Sequence, residues 1–274
     1  MSSSQEMVFT LYGDYIRHRG GEAWTGSLIE LLGLFGLSGQ AVRSTLSRMS
    51  RHGWLNGRRA RRNSFYSPTP KCIELLEEGA QRIFQPRRDP WDGRWHVLTY
   101  SIPESRSSLR QRLRKRLLWL GFGALHQGTW ISPRDLRDEV ERLVDGLNIR
   151  PYVELYSAEH CGFSSEKEIV ARCWNLSQLN DYYAEFIARF GSQFQEHQAR
   201  LAAGSSLQPQ ECFVQRFMLV HEYRLLPYVD PNLPLELLPG DWLGVQVAQL
   251  VQQYRDQLAE GAETFVASVL AKAP

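Results

Sequence analysis

The stretch that decides the fold runs from residue 38 to residue 66 and reads SGQAVRSTLSRMSRHGWLNGRRARRNSFY. Val42, Leu46 and Met49 recur at the spacing of one helix face, which predicts an amphipathic helix over 39–52. Ser38 precedes that helix and is a typical N-cap residue, because its hydroxyl can accept from a free backbone N–H of the first turn.

A hairpin follows this helix. Residues 54–59 and 64–67 read as two strands, joined by the turn residues 60–63. Two further helices precede the stretch, and another is predicted over 71–84. Three helices and then a hairpin, with arginines on the third helix and the hairpin, are typical of a winged helix-turn-helix.

The distribution of charge supports contact with a polyanion. The net charge is only +2, but residues 1–88 carry 13 basic and 7 acidic side chains, whereas residues 119–274 carry 12 basic and 20 acidic ones. Between Glu30 and Glu74 there is no acidic residue at all. A basic N-terminal module therefore stands against an acidic body, which favours double-stranded DNA as its partner over a merely solvated charge run.

The residues expected to contact DNA lie on the outer side of the predicted helix and in the hairpin. Arginine and glutamine side chains read base edges in the major groove, while hairpin arginines contact phosphates or the minor groove. The predicted DNA-binding residues are Ser38, Gln40, Arg43, Ser44, Ser47, Arg48, Arg51, Arg58, Arg59, Arg61, Arg62 and Asn63.

The rest of the chain changes its periodicity after a predicted linker at 86–90. Strand, helix, two strands, helix and strand follow in order, which fits a ferredoxin-like unit, and residues beyond 166 are helical. We therefore expect an α+β protein with three consecutive domains. These are a winged-helix DNA-binding domain over 1–88, a ferredoxin-like central domain over 89–165 and a helical C-terminal domain over 166–274.

Catalytic, metal and membrane signals are weak. The four cysteines show no C-x-x-C spacing, and no G-x-S-x-G, Walker A or H-E-x-x-H pattern occurs. The N-terminus lacks the regions of a signal peptide, and no apolar run approaches about 18 residues. We therefore expect a cytoplasmic protein without catalytic residues, bound metal, cofactor or membrane contact.

Several sequence blocks resemble the phenylacetic acid degradation repressor family (PaaX). The resemblance extends from about residue 8 to residue 244. The blocks that carry it are TLYGDYIRHRGG at 10–21, AVRSTLSRM at 41–49, GWL at 53–55, WDGRW at 91–95, GFG at 121–123, WISPR at 130–134 and LVHEYR at 219–224. The resemblance implies a bacterial repressor that releases its operator when phenylacetyl-coenzyme A binds.

A coenzyme A thioester needs cations for its phosphates and an apolar slot for its acyl group. His221 also fits a hydrogen-bonded core histidine, the simpler interpretation of a histidine on an apolar helix face. The candidate effector-binding residues are Arg94, Trp119, Trp130, Trp174, Arg216, His221 and Arg224.

Two questions stay open at this point. The arginine-rich segment 106–116 is most simply a solvated amphipathic face, but it also fits flanking phosphates, an acidic partner or the phosphates of a ligand. The alternative to a repressor is an enzyme, namely a nuclease or coenzyme A-ester hydrolase fused to a DNA-binding module. Metal-dependent nucleases of similar fold place an aspartate at the end of the first strand, where this chain has Tyr100, Ser101 and Ile102.

We expect a non-enzymatic homodimer that binds a pseudo-palindromic operator.

Overall fold

The computed structural model describes residues 4–84, 89–226 and 229–274, so the predicted linker lies mostly outside the described residues. The chain forms two compact units. The first comprises residues 1–85, 186–224 and 246–274, and the second comprises 86–185 and 225–245. Helices and two antiparallel sheets together make an α+β protein. The division into three consecutive domains at 88 and 165 stays a prediction.

The N-terminal part of the first unit follows the predicted order of elements. Helix α1 continues into a π-helical turn, and β1, α2, α3, β2, β3 and α4 follow. The bounds are α1 Ser4–Leu11, the π turn Tyr12–Ile16, β1 Ala23–Trp24, α2 Thr25–Gly33, α3 Gly39–Arg51, β2 Leu55–Ala60, β3 Asn63–Pro68 and α4 Pro70–Phe84. Strand β3 lies between β1 and β2, and both pairings are antiparallel.

The second unit is built on a four-stranded antiparallel sheet. Its elements are β4 Trp95–Tyr100, α5 Ser107–Leu120, β5 Gly123–His126, β6 Thr129–Ser132, α6 Arg137–Leu147, β7 Val153–Ala158, α7 Glu166–Cys173 and α8 Leu176–Phe186. The strand order in the sheet is β5-β6-β4-β7. Apolar residues of α5 and α6 pack with Leu98 and Trp130 of the sheet. A second cluster joins Trp95 and Ile131 to Ile169 of α7 and Leu237.

The helical pattern predicted beyond residue 166 is interrupted after α7. Trp174 leaves the helical region, with φ −137° and ψ 136°, and ends α7. Its ring stacks on Trp95 at 6.3 Å between centroids, and its indole N–H donates to the Gly121 carbonyl at 3.3 Å. Packing of this one side chain therefore overrides the helical periodicity on either side of it.

The remaining helices are α9 Ser192–Ala202, α10 Pro209–Tyr223, α11 Gly244–Gln257 and α12 Ala259–Leu270. Helices α10 and α12 share a core with the N-terminal elements of the first unit. Phe217 stacks on Phe35 with 4.1 Å between ring centroids. The buried Ser27 hydroxyl donates to the Val269 carbonyl at 3.0 Å. The first unit is thus one packed body whose two halves are far apart in sequence.

Candidate nucleic-acid interface

Helix α3 has one buried face and one exposed face. Val42, Thr45, Leu46 and Met49 are buried, at most 3% exposed. Ser38 caps the helix, since its hydroxyl accepts from the Ala41 N–H at 3.2 Å, as predicted. The exposed face carries the remaining residues predicted for this helix, namely Gln40, Arg43, Ser44, Ser47, Arg48 and Arg51.

The hairpin presents further arginines at its tip. Strands β2 and β3 are joined by the two-residue turn Arg61–Arg62, and Arg61 has a φ of +55°. Arg59, Arg61 and Arg62 are exposed, and Asn63 is partly buried at the start of β3. Within the ranges that the structure describes, none of the three exposed arginines forms an ion pair. Their charge is therefore available to an anionic partner.

Arg58 differs from its neighbours because it already has a carboxylate partner. Its guanidinium donates to both oxygens of Glu22, at 2.9 and 2.5 Å, and lies 4.6 Å from the centroid of the Phe65 ring. These hydrogen bonds hold the pKa of Glu22 below its ordinary value. Sequence reasoning missed this pair, although Glu22 is the one acidic residue between Asp14 and Glu30. The predicted phosphate contact by Arg58 would have to compete with it.

Four of the predicted effector-binding residues lie in the second unit. Arg94 donates to the Ser157 hydroxyl at 2.8 Å and to its carbonyl at 3.1 Å. Trp119 is partly buried, and Trp130 is only 3% exposed within the sheet core. Trp174 lines a cleft of about 680 Å³ in this unit, together with Lys167, Arg172, Asp181 and Asp241. Of the predicted residues, only Trp174 lines this cleft.

The other three predicted effector-binding residues lie in the first unit. Arg216 is 3.4 Å from Asp14 and 3.2 Å from Glu263, and Arg224 is 3.6 Å from Glu6. Both guanidiniums therefore already face carboxylates of their own unit. An effector role for these residues stays a prediction.

His221 has the contacts of a core histidine, the simpler interpretation from sequence. It is 2% exposed, and its Nδ1 lies 2.7 Å from the Thr10 hydroxyl. The Nε of Arg224 lies 3.4 Å from the same ring nitrogen. Burial lowers the pKa of His221 to about 4, and the nearby Arg224 contributes in the same direction. The ring is thus neutral at pH 7.

Asp14 is a buried charged residue that sequence reasoning overlooked. Its side chain is 4% exposed, and Arg216 and Arg255 both lie within 3.5 Å. Burial raises the pKa of Asp14, because the two arginines offset only part of the lost hydration. The available signal was a lone carboxylate inside the apolar run of Tyr12, Tyr15 and Ile16.

Across the described ranges, no group of three or more His, Cys, Asp or Glu side chains is arranged to hold a metal ion. No helix among the described residues is both long enough and apolar enough to cross a bilayer.

Comparison with known families accounts for nearly the whole chain. Residues 3–71 match the model of the PaaX-like protein, residues 88–170 the PaaX protein central Cas2-like domain, and residues 174–268 the PaaX-like protein C-terminal domain. The chain belongs to the PaaX-like protein family, and the resemblance inferred from its sequence blocks is confirmed.

One curated relative is the Transcriptional repressor PaaX of Escherichia coli (strain K12). It is 34% identical over 267 residues, which are 96% of this chain and 83% of the relative. The relationship is thus to a transcriptional repressor and not to an enzyme. Among solved structures, the Uncharacterized protein Rv0674 from Mycobacterium tuberculosis has a TM-score of 0.65 at 21% identity. The match covers 97% of this chain and 99% of that one, and it supports the fold alone.

Proposed function

We propose that this protein is a DNA-binding transcriptional repressor that acts in the cytoplasm. In this proposal α2, α3 and the β2–β3 hairpin form a winged helix-turn-helix, and the exposed face of α3 enters the major groove. The observation that carries the proposal is the exposed face of α3, with Arg43, Arg48 and Arg51, beside the arginines of the hairpin tip. No acidic residue occurs in the sequence between Glu30 and Glu74, and Glu22 from outside this interval binds Arg58.

The regulated genes follow from the relative rather than from the site. We propose an operon for phenylacetate catabolism, because the curated relative is the Transcriptional repressor PaaX. The effector is then phenylacetyl-coenzyme A, which releases the operator by binding more tightly to a conformation that cannot bind DNA. Free phenylacetate lacks the phosphates that the cationic side chains would bind, so it should not release the operator.

The binding site for this effector is proposed in the second unit. Trp174 gives this cleft an aromatic wall, and Lys167 and Arg172 give it cations beside the carboxylates of Asp181 and Asp241. Its volume of about 680 Å³ suits a small ligand, since such pockets range over about 300–1,000 Å³. Three residues of the same unit that do not line the cleft also remain candidates, namely Arg94, Trp119 and Trp130. Arg216, His221 and Arg224 are weaker candidates because their polar groups already have partners in the first unit.

The experiment combines operator capture with calorimetry. Genomic fragments bound by the protein are recovered with and without added coenzyme A esters, and heats of binding are measured for phenylacetyl-coenzyme A and for phenylacetate. We expect enrichment of fragments from phenylacetate genes, release by the thioester only, and heat from the thioester only. Equal release by the free acid would contradict the effector, and no enriched fragment would contradict the repressor.

The central domain predicted over 89–165 is proposed to be ferredoxin-like. The antiparallel strand order β5-β6-β4-β7 of its sheet supports this proposal. The alternative function, a nuclease or coenzyme A-ester hydrolase, lacks support because the curated relative is a repressor.

A homodimer is also proposed, because one winged helix reads only a short site and two-fold pairing doubles the length of that site. Light scattering of the protein free and bound to operator decides this, and a monomer in both states would contradict it.

A further inference from the structure

Helix α5 carries the second basic surface of the protein. Its sequence, SSLRQRLRKRLLWL, holds five basic residues and no acidic one. Arg112, Arg114, Lys115 and Arg116 are exposed, and none of them forms an ion pair within the described ranges. Arg110 is paired with Glu104 at 3.0 Å, and Glu104 is 87% exposed.

Like charges on one helix face repel each other. Arg110 and Arg114 are four residues apart, as are Arg112 and Arg116, and both pairs bring like charges together. Helices with a purely solvated face usually mix charges of both signs, as α6 does with Arg142 between Glu141 and Asp145. The composition of α5 therefore indicates that this helix binds an anionic partner.

The arrangement of the cations identifies the shape of that partner. Leu113 and Leu117 are fully buried and define the inner side of α5. At about 100° per residue, Arg112 and Arg116 then lie on one flank and Arg110 and Arg114 on the other. Lys115 lies on the outer side between the two rows. The cations diverge over a convex surface, so they suit an extended polyanion better than the compact phosphates of a nucleotide-like ligand.

We infer that α5 binds the phosphate backbones of duplex DNA without reading sequence, as a contact additional to the one proposed for α3. Two rows on opposite flanks match the two strands that border a major groove, which is about 12 Å wide and admits a helix. Double-stranded RNA is disfavoured, since its major groove is too narrow and deep for side chains to read. Single-stranded nucleic acid is disfavoured because its recognition uses exposed aromatic side chains, and the outer side of α5 presents Lys115 and Leu118.

This inference extends the proposed function but does not depend on a specific operator. It is tested with full-length protein on a random-sequence duplex of 40 base pairs, so it can be decided even if no operator is found. The two row variants are Arg112→Gln/Arg116→Gln and Arg110→Gln/Arg114→Gln. The matched control is Arg137→Gln/Arg142→Gln, which removes two exposed arginines from α6 of the same unit.

The readout is the slope of the logarithm of the binding constant against the logarithm of salt concentration. Each lost phosphate contact lowers the magnitude of the slope by about 0.9, so Arg112→Gln/Arg116→Gln should lower it by about 2. Arg110→Gln/Arg114→Gln should lower it by about 1 to 2, because Arg110 is paired with Glu104. The control should keep the wild-type slope. Thermal unfolding checks that every variant is folded, and a variant that is unfolded is replaced by its single substitutions.

Three results would overturn the inference. Row variants with the slope of the control would mean that α5 is a solvated face. A single-stranded RNA or a double-stranded RNA bound more tightly than the duplex DNA, and dependent on the same arginines, would assign the surface to RNA. Loss of calorimetric heat with coenzyme A in the row variants, with the DNA slope unchanged, would assign it to the effector. If instead the α3 variants Arg43→Ala and Arg48→Ala bind all DNA as wild type does, the proposed function fails while the α5 result stands separately.

Discussion

The guanidinium of Arg216 lies 3.4 Å from the carboxylate of Asp14, although 202 residues separate the two in sequence. Both side chains are almost fully buried, at 7% and 4% exposure. Arg216 belongs to α10, and Asp14 to the π turn that continues α1. An ion pair inside the first unit therefore joins the helices that precede α3 to the C-terminal helices. This link makes the stability of the candidate DNA-binding elements depend on distant sequence.

The first prediction concerns this buried pair. Arg216→Met should lower the free energy of unfolding by about 3 kcal/mol, because the buried Asp14 then loses its more buried cation and keeps the more exposed Arg255. The double variant Asp14→Asn/Arg216→Met should be less destabilised than Arg216→Met alone, since it also removes the buried carboxylate. Urea unfolding monitored by circular dichroism measures the free energy of unfolding of both variants.

The control for that experiment is an exposed ion pair of the same unit. Lys272→Gln removes the contact with Glu30, where the two side chains are 56% and 42% exposed. Such surface pairs contribute about 0–1 kcal/mol, so this variant should unfold almost as wild type does. Equal decreases in the free energy of unfolding of Arg216→Met and Lys272→Gln would contradict the role assigned to the buried pair.

The second prediction is a pH dependence of stability caused by His221. Its pKa falls from 6.5 to about 4 on folding, so between these values the unfolded state binds more protons than the folded state. The contribution to stability is complete above pH 6.5 and is lost as the pH falls toward 4, by about 3 kcal/mol in total. Glu6 opposes the shift and Arg224 supports it.

This pH dependence is measured by urea unfolding at intervals from pH 7.5 to 4.5. The difference between wild type and His221→Gln isolates the histidine, because other groups titrate equally in both chains. That difference should change with pH over this range. A constant difference for His221→Gln would show that the ring is accessible to protons in the folded protein.

Local patterns in the sequence predict α3 and the hairpin well. Val42, Leu46 and Met49 mark a buried stripe, and Ser38 supplies the N-cap, because both features are decided within a few residues. The exposed arginines of this helix follow directly from the stripe. Their contact with DNA and the identity of the effector residues stay predictions.

Contacts between distant residues could not be predicted in this way. The stacking of Phe35 on Phe217 and the pair of Asp14 and Arg216 depend on tertiary packing, which no periodicity encodes. The same applies to Trp174, whose packing against Trp95 ends α7 within a stretch of helical periodicity. Glu22 shows the limit for charge patterns, since an isolated carboxylate outside the basic interval neutralises one arginine inside it.

The third prediction concerns base recognition by α3. Arg43→Ala and Arg48→Ala should each weaken operator binding by about 1–3 kcal/mol and relax the preference for one base pair, because arginine reads guanine with two hydrogen bonds. Both side chains are exposed, so the variants should unfold as wild type does. Fluorescence anisotropy with operator duplexes that carry single base-pair changes measures affinity and preference together. Wild-type affinity in both variants would exclude α3 as the reading helix.

The last prediction separates the arginines of the hairpin by their partners. Arg61→Gln/Arg62→Gln should lower the affinity for all duplexes and reduce the salt slope by about 0.9 for each lost phosphate contact. Arg58→Gln should change the slope less than either residue of the turn, because its guanidinium is already bound to both oxygens of Glu22. Adding Glu22→Gln to wild type frees Arg58, and we expect the slope to rise. Anisotropy titrations across a range of salt concentrations measure all of these chains on one duplex. If Arg58→Gln loses as much slope as the turn variant, DNA displaces Glu22 and Arg58 belongs to the phosphate-binding set after all.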